Sequence, residues 1–150
     1  KALGVDDQLI FLGRVSDPAK WALLDLSAGV VLPSILRAEA FGLVLLEAAA
    51  ASRAAITCEI GTATSHIVRD GETGYVVEPR DSVALAEAME RLVTDPAQAA
   101  IMGDNARRHY DKHFTAGAYA ERVLAVYEQV TGQVLGDSMA QPGIQQGGIA

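Results

Sequence analysis

Short apolar runs alternate along the chain with longer segments that repeat at helical spacing. Compact apolar runs that are closed by glycine, proline or polar residues predict buried β-strands. Such runs occupy residues 9–12, 30–32, 54–57 and 75–77. Strands that alternate with helical segments of about 10–15 residues are typical of crossover connections and a parallel sheet. The pattern therefore predicts an α/β fold, with a parallel sheet flanked by helices.

Helices are predicted between these strands. Asp17, followed by Pro18, can serve as the N-cap of a first helix that carries Trp21 and Leu24. Residues 42–51 are apolar on every face except at Glu47, which predicts a buried helix. Residues 62–68 are ambiguous between a turn and a short helix.

Three further helices are predicted after the last strand. Asp81 or Ser82 can cap the first, and the capping-box sequence at Asp95 begins the second. Thr115 can cap the last, and Gly132 can end it. Their predicted apolar stripes consist of Leu85, Met89 and Leu92, and of Tyr119, Val123, Tyr127 and Val130. Residues 133–150 are rich in Gly and Gln without periodicity, so we expect a domain over 1–131 and a flexible tail over 132–150.

Composition narrows the possible functions. The chain has 150 residues, half of them hydrophobic, which is enough for one domain with a core. A net charge of −7 argues against non-specific binding to nucleic acid or anionic membranes as the main role. No apolar run reaches the roughly 18 residues of a membrane span. The single cysteine, Cys58, cannot form an internal disulfide, so we expect a cytoplasmic location.

Two carboxylates, Glu39 and Glu47, bracket the predicted turn from the second strand into the helix that begins near Gly42. A helix N-terminus attracts anions through its unpaired N–H groups and its dipole. Glu47 lies about 7 Å further along the helix axis, at about 1.5 Å per residue. Ionised carboxylates only accept hydrogen bonds and therefore suit hydroxyl groups. A diphosphate flanked by two polyols, as in a nucleotide-sugar, fits this arrangement. The alternative is that Glu39 is an ordinary loop residue and Glu47 an ordinary helix residue.

An ordered set of short motifs resembles the C-terminal domain of family 4 glycosyltransferases, which are retaining, metal-independent enzymes with the GT-B fold. The motifs are Pro33-Ser34, Glu39-x7-Glu47 around Phe41-Gly42-Leu43, and Asp70-Gly71-Glu72-Thr73-Gly74. The stretch from Glu59 to Ser65 also resembles bacterial mannosyltransferases of polysaccharide assembly. The resemblance implies a Rossmann-like parallel sheet, the C-terminal half of a GT-B fold, incomplete at its N-terminus. The chain begins with Lys1 rather than Met, and we interpret it as a fragment.

The resemblance also implies roles for individual residues. Glu39, as the catalytic-site residue, would contact the hydroxyls of the donor sugar, and Glu47 would bind the ribose. The remaining donor-binding residues would be the N–H groups of Phe41, Gly42 and Leu43 at the sugar and diphosphate, and the base-cradling loop at Gly13 and Arg14. The donor would be a nucleoside diphosphate sugar, with no cofactor and no metal.

The implied reaction is transfer of a hexose, with mannose as the first candidate, to a glycan or lipid-linked acceptor. The acceptor would bind a domain that precedes Lys1, and the whole protein could lie on the inner face of the cell membrane. We expect the isolated fragment to be inactive. Two alternatives stay open: a degenerate, non-catalytic nucleotide-binding or scaffold domain, and a non-hydrolysing epimerase of the same architecture.

Departures from the family pattern motivate the degenerate alternative. Ser52 and Ala54 stand where the family has glycine and proline, Gly29 replaces an aspartate, and Ala63 replaces a glycine. A glycine with positive φ costs about 1 kcal/mol to replace if the backbone is unchanged.

For other polar residues, the sequence gives weaker indications of a role in phosphate or metal binding. Arg37 and Arg53 could neutralise phosphate near the glutamates, although surface arginines are more often simply solvated. His109 and His113 have the spacing of zinc ligands on a helix, but no third ligand is evident in the sequence.

Overall fold

The computed structural model describes residues 4–132. They fall into two compact units, one ending at Tyr110 and the other starting at Asp111. A short 3₁₀ turn at Asp6–Gln8 comes first. The elements that follow are α1 (Asp17–Leu26), β1 (Val30–Leu32), α2 (Leu43–Ala50), β2 (Ala55–Cys58), α3 (Thr64–Ile67), β3 (Gly74–Val77), α4 (Ser82–Thr94), α5 (Pro96–His113) and α6 (Ala116–Thr131). Of the predicted tail, residues 133–150 lie outside the described residues.

The three strands form a parallel sheet in the order β1-β2-β3. Val30 lies opposite Ala55 in the first pair, and Ala55 lies opposite Gly74 in the second. The central strand β2 is buried along its whole length. Because the strands are parallel, their carboxyl ends lie at one edge of the sheet, and the loops that follow them share that edge. The predicted α/β class with a parallel sheet is therefore confirmed.

Both faces of β2 are covered. Ile56 belongs to a core cluster that α4 and α5 complete with Ala88, Leu92, Ala99 and Met102. Side chains alternate along a strand, so Ala55 and Thr57 point to the opposite face. The helices α2 and α3 contact the sheet and bury Leu45, Ala48, Ala49, Thr64 and Ile67. The start of α2 is thereby fixed against the sheet.

The predicted strand at residues 9–12 is wrong. These residues form no strand, and their side chains are 53–91% exposed. None of the described strands pairs with this segment. A strand needs a neighbour to satisfy its backbone N–H and C=O groups, so an apolar run alone does not form one.

The helix caps agree with the sequence, with one correction. Asp81, Asp95 and Thr115 accept hydrogen bonds from first-turn amides, and Gly132 ends α6 with φ +68°. In α1, however, the N-cap is Ser16, and Asp17 is already helical. The hydroxyl of Ser16 accepts from the amide of Ala19 at 3.4 Å, so Ser16 has the capping role that we predicted for Asp17.

The predicted apolar stripes are only partly buried. In α4, Leu92 is buried as predicted and Leu85 packs against the core cluster, whereas Met89 is 46% exposed and Ala88 is buried in its place. No residue of α6 is buried, so its stripe is not part of the described core. Helical periodicity identifies a face that could be buried, but it does not supply a partner for that face. The helix α2 is also less buried than predicted, because Leu43 is 69% exposed.

Candidate functional site

The loop that leaves β1 runs along the carboxyl edge of the sheet and brings Glu39 to the start of α2. Oε1 of Glu39 accepts a hydrogen bond from the backbone N–H of Gly42 at 2.8 Å. The backbone N–H of Glu39 donates to the carbonyl of Leu36 at 3.2 Å, which closes the turn before it. The carboxylate of Glu39 is thus held at the positive end of the α2 dipole. Its second oxygen, Oε2, accepts no hydrogen bond from the described residues.

Gly42 is the N-cap of α2 and is required there for two reasons. Its φ of +79° lies in the left-handed region that residues with a side chain rarely adopt. A β-carbon at this position would also lie 2.9 Å from Leu45 Cδ1 and 3.2 Å from Leu32 Cδ2 and Thr64 Cγ2. The absence of a side chain lets α2 start tightly against the sheet. The amides of Leu43 and Val44 occupy the first turn, where helices provide no internal acceptor, so both can bind an anion.

Glu47 lies one turn further along α2 and forms an ion pair with α1. Its Oε1 accepts a hydrogen bond from Lys20 Nζ at 2.8 Å, and both side chains are about one-third exposed. Lys20 Nζ also lies 3.3 Å from Asp17 Oδ1. The hydrogen bond to Glu47 raises the pKa of Lys20; partial desolvation opposes this, and Asp17 adds to it. Lys20 is therefore firmly cationic, and Glu47 is partnered rather than isolated.

The loop after β2 packs beside the Glu39 loop at the same edge. The amide of Ala63 donates to the carbonyl of Ala40 at 3.3 Å and ties the two loops together. Oε1 of Glu59 accepts from the amide of Gly61 at 2.9 Å and from Ser65 Oγ at 3.2 Å, which fixes the second loop internally.

The arginines proposed to flank the glutamates lie at different ends of the sheet. A β-carbon on Gly61 would be 3.5 Å from Arg37 Nη1, so the Arg37 guanidinium lies at the carboxyl edge. Arg53 precedes β2, at the opposite edge, and donates to the carbonyl of Asp25. The prediction that Arg53 flanks the glutamates is therefore wrong. In a parallel sheet, residues that precede a strand lie at the amino edge, whereas Glu39 follows a strand and lies at the carboxyl edge.

The remaining predicted donor-binding residues are exposed. Phe41 and Leu43, on either side of Gly42, are 42% and 69% exposed. Gly13 has φ +62° with open space around it, and Arg14 is exposed. Among residues 4–132, no hydrogen bond or ion pair joins Arg14 to Glu39 or Glu47. The structure brings the two glutamates and Gly42 together, while the role of Gly13 and Arg14 stays a prediction.

His109, His113 and Cys58, the other candidate reactive residues, lie close to protein groups. His109 Nε2 lies 3.3 Å from the carbonyl oxygen of His66, and His113 Nδ1 lies 2.6 Å from an Arg122 nitrogen. In the part of the chain that the structure describes, no three His, Cys, Asp or Glu side chains come together as a metal site. Cys58 ends β2 as a buried thiol, and its burial raises its pKa. His109 and Cys58 are buried, at 8% and 3% exposure.

The family assignment follows from comparison with known sequences. The sequence model described as "Glycosyl transferases group 1" matches residues 1–109. The chain belongs to this family. It is 43% identical over 119 residues to the O-antigen chain mannosyltransferase C of Escherichia coli, covering 79% of this chain and 32% of that protein. It is 52% identical over 106 residues to the D-rhamnosyltransferase WbpZ of Pseudomonas aeruginosa, covering 71% and 28%.

Two solved structures share the fold. Sucrose-phosphate synthase from Thermosynechococcus elongatus superposes with a TM-score of 0.72 at 33% identity, over 85% of this chain and 31% of that one. Anabaena HepE in complex with UDP gives a TM-score of 0.74 at 22% identity, over 88% and 34%. The GT-B assignment is thereby confirmed. The chain spans about a third of the length of the curated relatives it matches.

The departures from the family pattern affect the site less than the sequence suggested. Ser52 does adopt φ +55°, but it follows α2 at the end remote from Glu39. Ala63 has φ −67°, an ordinary helical value, so no cost arises from replacing a glycine there. At Gly29 a β-carbon would lie 2.7 Å from Leu92 Cδ1 and 3.0 Å from the carbonyl oxygen of Ala54, so an aspartate there would require Leu92 to move.

Two charged residues at the site, Lys20 and Glu59, were not predicted from the sequence. Lys20 lies 27 positions before its partner Glu47, and no local pattern links the two. Glu59 was noted only as part of a motif, although its position directly after β2 places a carboxylate at the same edge as Glu39. The position of a charge directly after a parallel strand was the available signal for Glu59.

Among the described residues, no helix combines the length and the hydrophobicity required to cross a lipid bilayer.

Proposed function

We propose that this chain is the donor-binding part of a retaining glycosyltransferase that moves a hexose from a nucleoside diphosphate sugar to a glycan or lipid-linked acceptor. The observation that carries the proposal is the pair of carboxylates around the start of α2. Glu39 is hydrogen-bonded to the Gly42 amide, and Glu47 is held by Lys20 one turn further on. Membership of the glycosyl transferases group 1 family supports the reaction class.

The two glutamates would contact the two polyols of the donor. With Oε1 of Glu39 engaged by Gly42, Oε2 is free to accept hydroxyls of the donor sugar. Glu47 would accept the ribose hydroxyls with the oxygen that Lys20 leaves open. The amides of Phe41, Gly42 and Leu43 would border the sugar and the diphosphate, and Gly13 and Arg14 would border the base. Each glutamate would then combine a structural hydrogen bond with a ligand contact.

The leaving diphosphate would be stabilised by preorganised donors and not by a metal. First-turn amides of α2 and the helix dipole favour negative charge at this position. We assign no protein nucleophile; the donor phosphate would help to deprotonate the acceptor hydroxyl. No cofactor enters this scheme, and the acceptor would bind a part of the protein outside this chain.

Mannose is the first candidate for the transferred sugar. The Escherichia coli relative is a mannosyltransferase and the Pseudomonas aeruginosa relative a D-rhamnosyltransferase. D-rhamnose is 6-deoxymannose, so both names refer to the same ring configuration. HepE, which shares the fold, was solved with UDP. For the compartment we propose the cytoplasm, on the grounds of cysteine usage alone.

A non-catalytic module is not favoured. That alternative rests on replaced glycines, yet the strained one, Ser52, lies at the far end of α2, and Ala63 is unstrained. The hydrogen bond of Glu39 to Gly42 and the ion pair of Glu47 with Lys20 around the start of α2 support donor binding instead.

Calorimetric titration of this chain with GDP, UDP and ADP tests the proposal. We expect one of them to bind, because the sugar is not needed for the diphosphate and ribose contacts. Glu47→Ala should then weaken binding by about ten- to a hundredfold, the value of a charge-assisted hydrogen bond of about 1.5–3 kcal/mol. Glu87→Ala, an exposed glutamate on α4, is the matched control and should leave the affinity unchanged.

Two outcomes would contradict the proposal. If none of the three nucleotides binds, the chain has no donor site of its own. If one binds with equal affinity to the wild type and to Glu47→Ala, the site lies elsewhere on the chain.

A further inference from the structure

We propose that Lys20 is the charge-compensating residue of this site, which lets a carboxylate bind the ribose without repelling the adjacent diphosphate. The inference rests on the proposed function and extends it to a residue outside the motifs of the family. Its basis is the contact of Lys20 Nζ with Glu47 Oε1 at 2.8 Å, between α1 and α2.

The charges of the site create the need for compensation. A diphosphate at the start of α2 would lie about 7 Å from Glu47 along the helix axis. At that distance the repulsion between two unit charges lowers the affinity for the diphosphate about threefold in bulk water. At an effective dielectric constant of 20, the same repulsion lowers it about fiftyfold. The chain carries a net charge of −7, so its overall field adds to the repulsion. An uncompensated Glu47 would therefore oppose the ligand that it helps to bind.

The position of Lys20 allows it to neutralise Glu47 without blocking the ribose hydroxyls from the same carboxylate. Its ammonium occupies Oε1 of Glu47, while Oε2 accepts no hydrogen bond from the described residues. An ionised carboxylate offers several acceptor positions, so ribose hydroxyls can use Oε2 while Lys20 stays in place. Asp17 Oδ1, at 3.3 Å, and the Trp21 ring, with its centroid at 5.8 Å, also contact the ammonium. Lys20 is therefore held next to Glu47 before any ligand arrives.

The experiment compares a charged ligand with an uncharged one. Affinities are measured by NMR chemical-shift titration, which reaches millimolar dissociation constants, for the nucleoside diphosphate that binds and for its unphosphorylated nucleoside. Lys20→Met should weaken the diphosphate at least threefold and change the nucleoside less than twofold. Lys20→Arg should restore the diphosphate affinity. Arg69→Met, which breaks an exposed ion pair with Glu72 at 3.5 Å, is the matched control.

A double-mutant cycle tests whether Lys20 acts through Glu47. In the Lys20→Met/Glu47→Gln double variant the pair carries the same net charge as in the wild type, so the ratio of diphosphate affinity to nucleoside affinity should return to the wild-type value, whereas Lys20→Met alone lowers it. A ratio that stays as low as in Lys20→Met would show that the lysine contacts the phosphates directly, which overturns the compensation.

Other outcomes overturn the inference in separate ways. Equal weakening of both ligands by Lys20→Met would reveal a structural role only. Unchanged or tighter diphosphate binding would show that Lys20 is irrelevant or competes for Glu47. A wild-type chain that binds no nucleotide would overturn the proposed function and this inference with it, whereas the preceding outcomes leave the proposed function intact.

Discussion

The backbone N–H of Gly42 donates a hydrogen bond to Oε1 of Glu39 at 2.8 Å, so the carboxylate proposed to bind the donor sugar also holds the N-cap residue of the helix that would bind the diphosphate. One side chain thus couples the shape of the loop to the start of α2. A substitution at Glu39 must affect folding as well as binding, and the two effects can be separated by the choice of replacement.

Glu39→Ala should lower the free energy of unfolding by about 1.5–3 kcal/mol, the usual contribution of a hydrogen bond to a charged group. Glu39→Gln keeps an acceptor oxygen for the Gly42 amide and should retain most of that stability. Urea denaturation of the two variants and the wild type measures the difference. Equal stability of Glu39→Ala and Glu39→Gln would show that the hydrogen bond between Glu39 and the Gly42 amide contributes nothing to folding.

Gly42→Ala should destabilise the fold by more than the cost of a positive φ alone. Gly71 provides the matched control, because it has φ +72° and nothing within 4 Å of an added β-carbon, whereas Gly42 has three side chains within 3.2 Å. We expect Gly71→Ala to cost about 1 kcal/mol and Gly42→Ala clearly more. The difference in urea midpoints at a common m-value gives the result. If Gly42→Ala lowers the free energy of unfolding no more than Gly71→Ala does, the close contacts around Gly42 do not contribute to stability.

Ser52→Gly should stabilise the chain. Ser52 follows α2 with φ +55°, a conformation that glycine adopts without strain. The expected gain in the free energy of unfolding is about 1 kcal/mol. Ser52→Ala keeps a β-carbon in the same conformation and should give no gain. The thermal midpoints of the three proteins provide the measurement, and a gain with alanine equal to that with glycine would exclude backbone strain as its cause.

Gly103→Ala tests the packing of α5 against Ser52, just after the end of α2. A β-carbon on Gly103 would collide with the carbonyl oxygen of Ser52, so α5 passes directly over the end of α2. Gly103→Ala should cost more stability than Gly117→Ala in α6, where a β-carbon meets nothing within 4 Å. Urea denaturation of both variants compares them, and equal costs would contradict the close approach.

Cys58 should be a protected thiol. It is 3% exposed, and burial raises its pKa above the ordinary value of 9.0. Its reaction with an aromatic disulfide at pH 8 should therefore be at least about a hundredfold slower in the native protein than in urea, because the reactive thiolate needs local opening. Similar rates in both states would contradict the burial of the thiol.

The raised pKa of Cys58 also has a consequence for stability. The unfolded chain loses the thiol proton at a lower pH than the folded chain does, so this contribution is complete below about pH 9 and declines as the pH rises above it. Cys58→Ala should show a smaller loss of stability between pH 8 and pH 10. Equal losses in the variant and the wild type would show that the thiol does not titrate differently on folding.

The sequence by itself determined much of the local structure. Three of the four predicted strands, the caps at Asp81, Asp95 and Thr115, and the glycine stop at Gly132 depend on near neighbours in the chain, so their signals are local. The placement of Glu39 and Glu47 around the start of α2 followed from the strand-to-helix order alone, because the geometry of a helix fixes what eight residues can span.

Only the tertiary structure decided which partners these elements meet. The apolar run at 9–12 and the stripe of α6 have the right periodicity, yet the described residues do not bury them. Arg53 resembles a site residue in the sequence but lies at the opposite edge of the sheet, and Lys20 joins Glu47 across 27 positions. Periodicity and capping are properties of a segment, whereas burial and ion pairing depend on how distant segments are brought together, and no local pattern contains that information.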